Sequence, residues 1–286
     1  MDIQSLQMLK AIADTGSFSA AARKLNYAQS HVSTQILRLE QEVGAPLFNR
    51  HNRGISLTAA GETFLKYANE MTRIMDEAGR AVAESGVPSG KLRVASMQTT
   101  AQTILPRVLS RYHQSYSDVR LEIRTGTSDK NLRTVLDYDA DLAFVAGRCE
   151  RGDLVTVPVM SERLALLSSE RALRAEAKAL EDATVLVFPE GCAYRNRLEE
   201  WLRTDGVVAR SVIVFDSLPA ILASLCAGLG AALLPESAAE RQIEEGFLYA
   251  RELPQPYGEL PLNLVYRSDQ YPSPALRKLV ELVTLA

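Results

Sequence analysis

Apolar positions Ile3, Leu6, Leu9, Ile12 and Ala13 recur at helical spacing and predict a first helix that stops near Thr15-Gly16. Ser17 is placed to cap a second. There Phe18 packs beneath, and Ala21, Ala22 and Leu25 form a small-residue face that permits close helix contact. After Asn26-Tyr27, the stripe Val32, Ile36, Leu39 and Val43 predicts a third helix from about Ala28 to Glu42. Gly44-Ala45-Pro46-Leu47-Phe48 then leads into a basic, glycine-containing tip, Asn49-Arg50-His51-Asn52-Arg53-Gly54, and on to Ile55-Ser56-Leu57, which reads as two short strands forming a wing. Thr58, a good N-cap, opens a long helix to about Glu84 before Ser85-Gly86-Val87-Pro88-Ser89-Gly90 breaks it. Along it Gly61, Phe64, Ala68, Met71, Met75, Ala78 and Val82 follow alternating steps of three and four. With charged flanks, this favours a seam where two helices pair over packing on the same domain.

Beyond Lys91 the pattern alternates short apolar strands with helices. Strands are predicted at Leu92 to Ala95, Val119 to Ile123 and Leu142 to Val145, with helices from Ile104 to Tyr116 and Lys130 to Leu136. A second set follows, with strands near 164–167, 185–188 and 212–215 and helices near 194–203 and 218–227. This βαβ arrangement predicts two α/β lobes, with the chain crossing between them near Met160 to Arg163 and again near Tyr266 to Asp269. The expected organisation is therefore a domain of residues 1–58, a linker and dimerisation helix with hinge over 59–90, and a domain of 91–286. Lobe I of the latter takes about 91–161 and 267–286, and lobe II about 162–266.

Composition and charge narrow the function. At 286 residues the chain exceeds what one hydrophobic core organises. A 47% hydrophobic and 23% charged composition is that of a globular chain and argues against disorder. The apolar stretch Leu218 to Leu234 is interrupted by Ser224, Gly228 and Gly230, too broken for a membrane span. Met1-Asp2-Ile3-Gln4 lacks the basic end and apolar centre of an export signal, so the cytoplasm is expected, with no membrane partner. Cys149, Cys192 and Cys226 make neither a disulfide scaffold nor a metal-ligand spacing, and no metal or cofactor is expected. With only His31, His51 and His113, the first two in the N-terminal region, a histidine triad is not expected. Gly228-Leu229-Gly230 is too weak to mark a nucleotide loop, and the chain is not expected to be an enzyme. A net charge of -3 excludes coating of nucleic acid by bulk positive charge. Residues 1–58 nevertheless carry six Lys and Arg against four Asp and Glu, a local surplus of the sign that phosphates attract.

Two groups of residues carry candidate chemistry. On the third helix, Gln29, Ser30, Ser33, Thr34 and Arg38 project opposite the buried stripe. They are side chains that reach base edges and phosphates if the helix lies in a major groove; the alternative is a solvated face of a three-helix bundle. Arg50 and Arg53 in the wing are placed for the phosphate backbone, and Arg53 for the narrower groove. In the α/β half, ligands bind beyond the carboxyl ends of strands, where helix N-termini collect unpaired N–H groups. That points to Ser96, Gln98, Thr99 and Thr100 after the first strand, Thr125 and Thr127 after the second, and Ser217 at a helix start, each with capping as its alternative role. Arg148 and Arg195 follow strand ends and pair either with a ligand carboxylate or with a neighbouring side chain. Cys192, near a helix start, is either an oxidant-sensing thiol or a buried inert one.

Several linked motifs resemble, in order and spacing, the signature of LysR-type transcriptional regulators. They are Gly16-Ser17-Phe18 with Ala21-Ala22 and Leu25, Ser33-Thr34-Gln35-Ile36 with Leu39-Glu40, Gly44 with Pro46-Leu47-Phe48-Asn49-Arg50, and Leu57-Thr58-Ala59-Ala60-Gly61. The resemblance covers nearly the full chain and is less specific in its second half. It implies an α/β protein overall: an all-α winged helix-turn-helix with a long linker helix, then a two-lobed α/β effector-binding domain similar to periplasmic binding proteins. It implies DNA contacts from Gln29, Ser30, Ser33 and residue 34 and from Arg53. It also implies double-stranded promoter DNA as partner, self-association as a homodimer or homotetramer, and a small-molecule metabolite as effector; RNA polymerase is a further candidate partner. Two positions depart from the pattern. Ala28 stands where a hydroxyl residue usually caps the recognition helix, weakening the cap by about 1 kcal/mol, and Thr34 stands where arginine is common.

Overall fold

In a computed structural model that describes residues 1–51, 54–82, 87–170 and 176–284, the chain divides into two units: Met1–Ser85 with Asp137–Asp139, and Gly86–Leu136 with Ala140–Ala286.

The first unit is built on three short helices. Helix α1 (Ile3–Thr15) begins with a reciprocal cap: the Asp2 carboxylate accepts from the Ser5 N–H at 2.7 Å, and the Ser5 hydroxyl oxygen accepts from the Asp2 N–H at 3.2 Å. Gly16 ends it in the left-handed region, φ 63°. Helix α2 (Phe18–Leu25) is capped by Ser17, whose hydroxyl accepts from the Ala20 N–H. Helix α3 (Gln29–Val43) starts at Ala28 with no side-chain cap. Met8, Leu9, Ile12, Val32, Ile36, Leu39 and Leu47 are fully or almost fully buried where these helices meet.

Strands β1 (Phe48–His51) and β2 (Gly54–Leu57) form the predicted antiparallel ladder, Phe48 opposite Leu57 and Arg50 opposite Ile55. Three contacts fix it to the helices. The Glu40 carboxylate accepts from the N–H groups of Leu47 and Phe48 at 2.8 and 3.2 Å, the Ile55 N–H donates to the Gly16 carbonyl at 3.3 Å, and the Phe18 and Phe48 rings meet edge to face at 5.9 Å.

Helix α4 (Ala59–Val82) is capped by Thr58, whose hydroxyl accepts from the Gly61 N–H at 2.9 Å and donates to the Pro46 carbonyl at 2.7 Å. Its apolar seam divides. Gly61 and Ala68 are buried, and Phe64 and Leu65 pack on the helical core of the same unit. Tyr67, Met71, Ile74 and Met75 are 40–57% exposed. The seam read from Gly61 onward thus starts later than expected. Its first positions serve the domain itself because α4 lies against α1 and β2. The Ala78 and Val82 side chains and residues 83–86 lie outside the description, as do Asn52 and Arg53.

The second unit is a two-lobed sheet structure. Lobe I contains β3 (Gly90–Ser96), α5 (Gln98–Thr103), α6 (Leu105–Ser115), β4 (Val119–Thr125), α7 (Ser128–Leu136) and β5 (Leu142–Ala146). The chain then enters β6 (Leu154–Ser168), one strand of 15 residues. Lobe II adds β7 (Thr184–Val187), α8 (Ala193–Thr204), β8 (Ser211–Val214), α9 (Leu218–Cys226), β9 (Ala231–Pro235), α10 (Glu240–Glu244) and β10 (Tyr249–Glu252). The chain returns through β11 (Glu259–Arg267) and ends in α11 (Pro274–Thr284). The strand order is β4-β3-β5-β11-β6-β9-β7-β8, with β10 also paired to β6.

Register locates the two crossings. Residues 154–163 of β6 pair with β11, and residues 164–168 pair with β9, so the first crossing falls inside β6, between Arg163 and Leu164. The return does not lie near Tyr266–Asp269. Leu262–Val265 already pair with β5 of lobe I, and Glu259 already pairs with Arg163, so the return precedes β11. The reason is the apolar run Leu260, Leu262, Leu264, Val265, which is buried in the lobe I sheet.

Candidate functional site

The first candidate surface is the outer face of α3. Gln29, Ser30, Thr34 and Arg38 are exposed and Ser33 half-buried, while Val32, Ile36 and Leu39 on the opposite side are buried. No carboxylate occurs between Ala28 and Leu39, so nothing on this face repels a phosphate. Two of the polar groups are held locally: the Ser19 hydroxyl donates to the Gln29 side-chain oxygen at 2.9 Å, and the Thr34 hydroxyl donates to the Ser30 carbonyl at 2.9 Å. The absent cap at Ala28 leaves first-turn N–H groups without a side-chain acceptor. Beside this face, the exposed Tyr27 and His31 rings lie 5.2 Å apart, a pair that sequence reasoning passed over although their spacing of four announces it. Arg50 contributes its backbone to the wing ladder; its side chain, and all of Arg53, lie outside the description.

The second is a cavity of about 770 Å³ in the C-terminal unit. Lobe I supplies Gln98 and Thr99 from α5, Thr125 and Thr127 from the end of β4, and Asp129, Lys130 and Arg133 from α7; lobe II supplies Phe188, Glu190, Cys192, Tyr194 and Asp216. These are strand ends and helix starts because that is where parallel strands leave the sheet. Among the sequence-derived candidates, Gln98, Thr99, Thr125, Thr127 and Cys192 are brought together here.

The others are placed elsewhere. The expected helix is α6, and ahead of it the structure adds a separate short helix, α5, from Gln98, which turns Thr100 into the interior. Ser96 is also fully buried, its hydroxyl donating to the Met97 carbonyl at 3.1 Å. Ser217 caps α9 through the Ala220 N–H. Arg195 pairs with Glu199 at 2.7 Å, and Arg148 is exposed away from the cavity lining.

The two lobes already touch across this cavity. Gln98 donates through its amide nitrogen to the Asp216 carbonyl at 2.5 Å and accepts from the Leu218 N–H at 2.7 Å, so a lobe I side chain occupies the first turn of α9. The Asp129 N–H donates to the Gly191 carbonyl at 3.2 Å. Gly191 has φ 81°, and a Cβ there would stand 2.9 Å from the Asp129 Cβ, so both backbone angle and approach require glycine.

Below the cavity runs a buried row that the sequence did not reveal: Thr99 Oγ1 lies 2.8 Å from the Tyr194 hydroxyl, which donates to Glu162 Oε2 at 2.8 Å. Desolvation pushes the Glu162 carboxyl up to about 7, against the lowering effect of the Tyr194 hydrogen bond. Burial also holds Tyr194 well above its ordinary value, so it remains a phenol. The Cys192 thiol is raised by burial as well, which keeps it protonated and unreactive. Among the described residues no group of His, Cys, Asp and Glu could hold a metal ion, and no helix is long and apolar enough to cross a membrane. A water-accessible cavity lined by hydroxyls, amides and charges of both signs suits a small polar molecule.

Comparison with known proteins agrees with both surfaces. Residues 3–62 match the model described as "Bacterial regulatory helix-turn-helix protein, lysR family", and residues 85–285 match "LysR substrate binding domain". The chain is 35% identical over 283 residues to the HTH-type transcriptional regulator CzcR of Bacillus thuringiensis subsp. konkukian (strain 97-27), covering 99% of this chain and 97% of that protein. In fold it is similar to a full-length OxyR variant from Pseudomonas aeruginosa, with TM-score 0.75, 20% identity, and 100% and 95% of the two chains covered. It is similar also to full-length CbnR in complex with its target DNA, with TM-score 0.68, 22% identity, and 99% of each chain covered. The two family models together cover nearly the whole chain, and the chain belongs to the LysR family of transcriptional regulators, proteins with a DNA-binding helix-turn-helix and a small-molecule effector domain rather than enzymes.

Proposed function

We propose that residues 1–58 read promoter DNA, that residues 59–90 join two or four copies of the chain, and that residues 91–286 sense a cytoplasmic metabolite and pass its presence to the promoter and RNA polymerase. The observation that carries the DNA reading is the carboxylate-free, exposed polar face of α3 on a tightly packed helical core. Gln29, Ser30, Ser33 and Thr34 contact base edges, and Arg38 contacts phosphate together with Arg50 and Arg53 of the wing. The uncapped start of α3 offers its N–H groups to a phosphate, which turns the loss of a cap at Ala28 into a point of contact. Full-length CbnR, similar to this chain in fold, is itself known in complex with its target DNA.

The effector reading is supported by the cavity between the lobes. A metabolite seated against Thr99, Thr125 and Thr127 acts by favouring one arrangement of the lobes over another, and it shifts the equilibrium only by its difference in affinity for the two. Gln98 bridges the lobes directly, so a bound molecule competes with or reinforces that contact.

The test is selection of genomic fragments by the full chain in moderate salt, followed by titration of the best fragment. Preference over random duplex and a steep fall in affinity with salt are expected. Ser33→Ala weakens binding at one base position, by about 1–3 kcal/mol, and Arg38→Ala weakens it across all sequences and lowers the salt slope by about 1. No preference for any fragment, with or without metabolites, would overturn the reading.

A further inference from the structure

Glu162 is a buried carboxyl that effector binding, as described above, does not use. It lies on β6, one residue before the Arg163–Leu164 crossing, and is 3% exposed. Its hydrogen-bonded row links the strand that joins the lobes to Tyr194 in lobe II and Thr99 in lobe I, and Thr99 and Tyr194 both line the effector cavity. Across the sheet, its register neighbour on β11 is Leu260, which is apolar. On the other side Glu162 lines a second cavity of about 940 Å³, where the charged groups are Arg107 from α6, Arg163 from β6, Glu236 after β9, and Glu240 and Arg241 from α10. Arg163 is engaged by Glu252 at 2.7 Å and Glu236 at 3.9 Å, and Arg241 by Glu245 at 2.8 Å. Among the described residues no cation forms an ion pair with Glu162, so its ionised form is held by the Tyr194 hydrogen bond alone.

Each hydroxyl in the row has one hydrogen to give. When Glu162 is ionised, Tyr194 donates to the carboxylate and accepts from Thr99, and Thr99 then shows the effector cavity only lone pairs. When Glu162 is protonated, its O–H donates to Tyr194, Tyr194 donates to Thr99, and the Thr99 hydrogen is free to meet a ligand. We propose that Glu162 is a positioning residue for the effector site, setting whether Thr99 acts as donor or acceptor, so that a carboxylate-bearing effector is taken up together with one proton on Glu162. The inference rests on the effector reading of this cavity. The carboxyl that burial raises to about 7 supplies the reservoir, because it changes charge within the range where the cell works. Lys130 and Arg133 give the cavity two cations for a ligand carboxylate, set among Asp129, Glu190 and Asp216 of the same lining.

The full chain is screened by thermal shift at about pH 6 with succinate, benzoate, L-alanine and propylammonium as probes. The best-binding carboxylate is then titrated calorimetrically between about pH 6 and pH 9, in two buffers of different ionisation enthalpy. The expected result is uptake of close to one proton per carboxylate bound above pH 7, with affinity falling up to about tenfold per pH unit. Both effects disappear in Glu162→Gln, whose amide does not titrate. They disappear also in Tyr194→Phe, which keeps Glu162 but cuts the row. A carboxylate that binds wild type and both variants with the same pH dependence overturns the role of Glu162. Failure of every probe to stabilise the wild type at any pH instead removes the effector reading, and the Glu162 proposal with it.

Discussion

Gly61 and Gly79 lie in the same helix, α4, yet a methyl group added at each meets opposite surroundings. At Gly61 the new Cβ would stand 2.0 Å from the Leu47 carbonyl oxygen, which is backbone and does not yield; at Gly79 none of the described residues lies within 4 Å. Helix propensity alone favours alanine by about 1 kcal/mol at either position. Gly79→Ala is therefore expected to stabilise the chain by about 0.5–1 kcal/mol, and Gly61→Ala to destabilise it by about 2 kcal/mol or more through forced separation of α4 from the wing. Denaturant unfolding of both variants decides this; an unchanged midpoint for Gly61→Ala would show that the helix start is not held against Leu47. Glu162 makes a second prediction at this scale. Its folded carboxyl is raised from 4.5 to about 7, so the unfolded chain releases this proton first. Its contribution is fully present below pH 4.5, is lost as pH rises toward 7, and is level beyond, a total of the order of 3 kcal/mol. The stability difference between wild type and Glu162→Gln, measured across that window, is expected to fall with rising pH. A difference that stays level would mean that Glu162 is not desolvated.

Among the elements, α4 has two faces: Phe64, Leu65 and Ala68 pack on the helical core and Asn69 and Arg73 are buried, while Tyr67, Met71, Ile74 and Met75 are exposed to solvent. We expect this exposed stretch to be where two copies meet. Met71→Glu with Ile74→Glu should give a lighter species in sedimentation while leaving the wild-type helical content; an unchanged mass would place the contact elsewhere. A repeating three-and-four pattern does not distinguish the two uses of such a helix, since both need the same spacing, which is why the sequence suggested one continuous seam. The three N-terminal helices were legible because Asp2, Ser17, Gly16 and Gly44 punctuate them and each has one clear apolar face. Strand-end residues such as Gln98, Thr99 and Thr125 were legible from topology. Ser96 and Thr100 looked equivalent to the others in sequence, but Ser96 ends β3 inside the sheet and Thr100 lies on the inner face of α5. Tyr194 and Glu162 escaped notice for a related reason: an aromatic on a helix reads as core, and Met160 to Arg163 reads only as the crossing between lobes. Only the meeting of α5, α8 and β6, distant in sequence, buries a carboxyl beneath a phenol and a hydroxyl.

At the scale of the C-terminal unit, one strand belongs to both lobes. Residues 154–163 of β6 bond to β11 and residues 164–168 to β9 and β10, without a break in the strand. A joint of this kind behaves as a torsion bar. Backbone ladders grip it at both ends, each ladder within one lobe, so a bend or twist between Arg163 and Leu164 moves the lobes without unzipping either ladder. A signal raised by a metabolite would then pass through the bend or twist of that single step of chain, the residue pair next to Glu162.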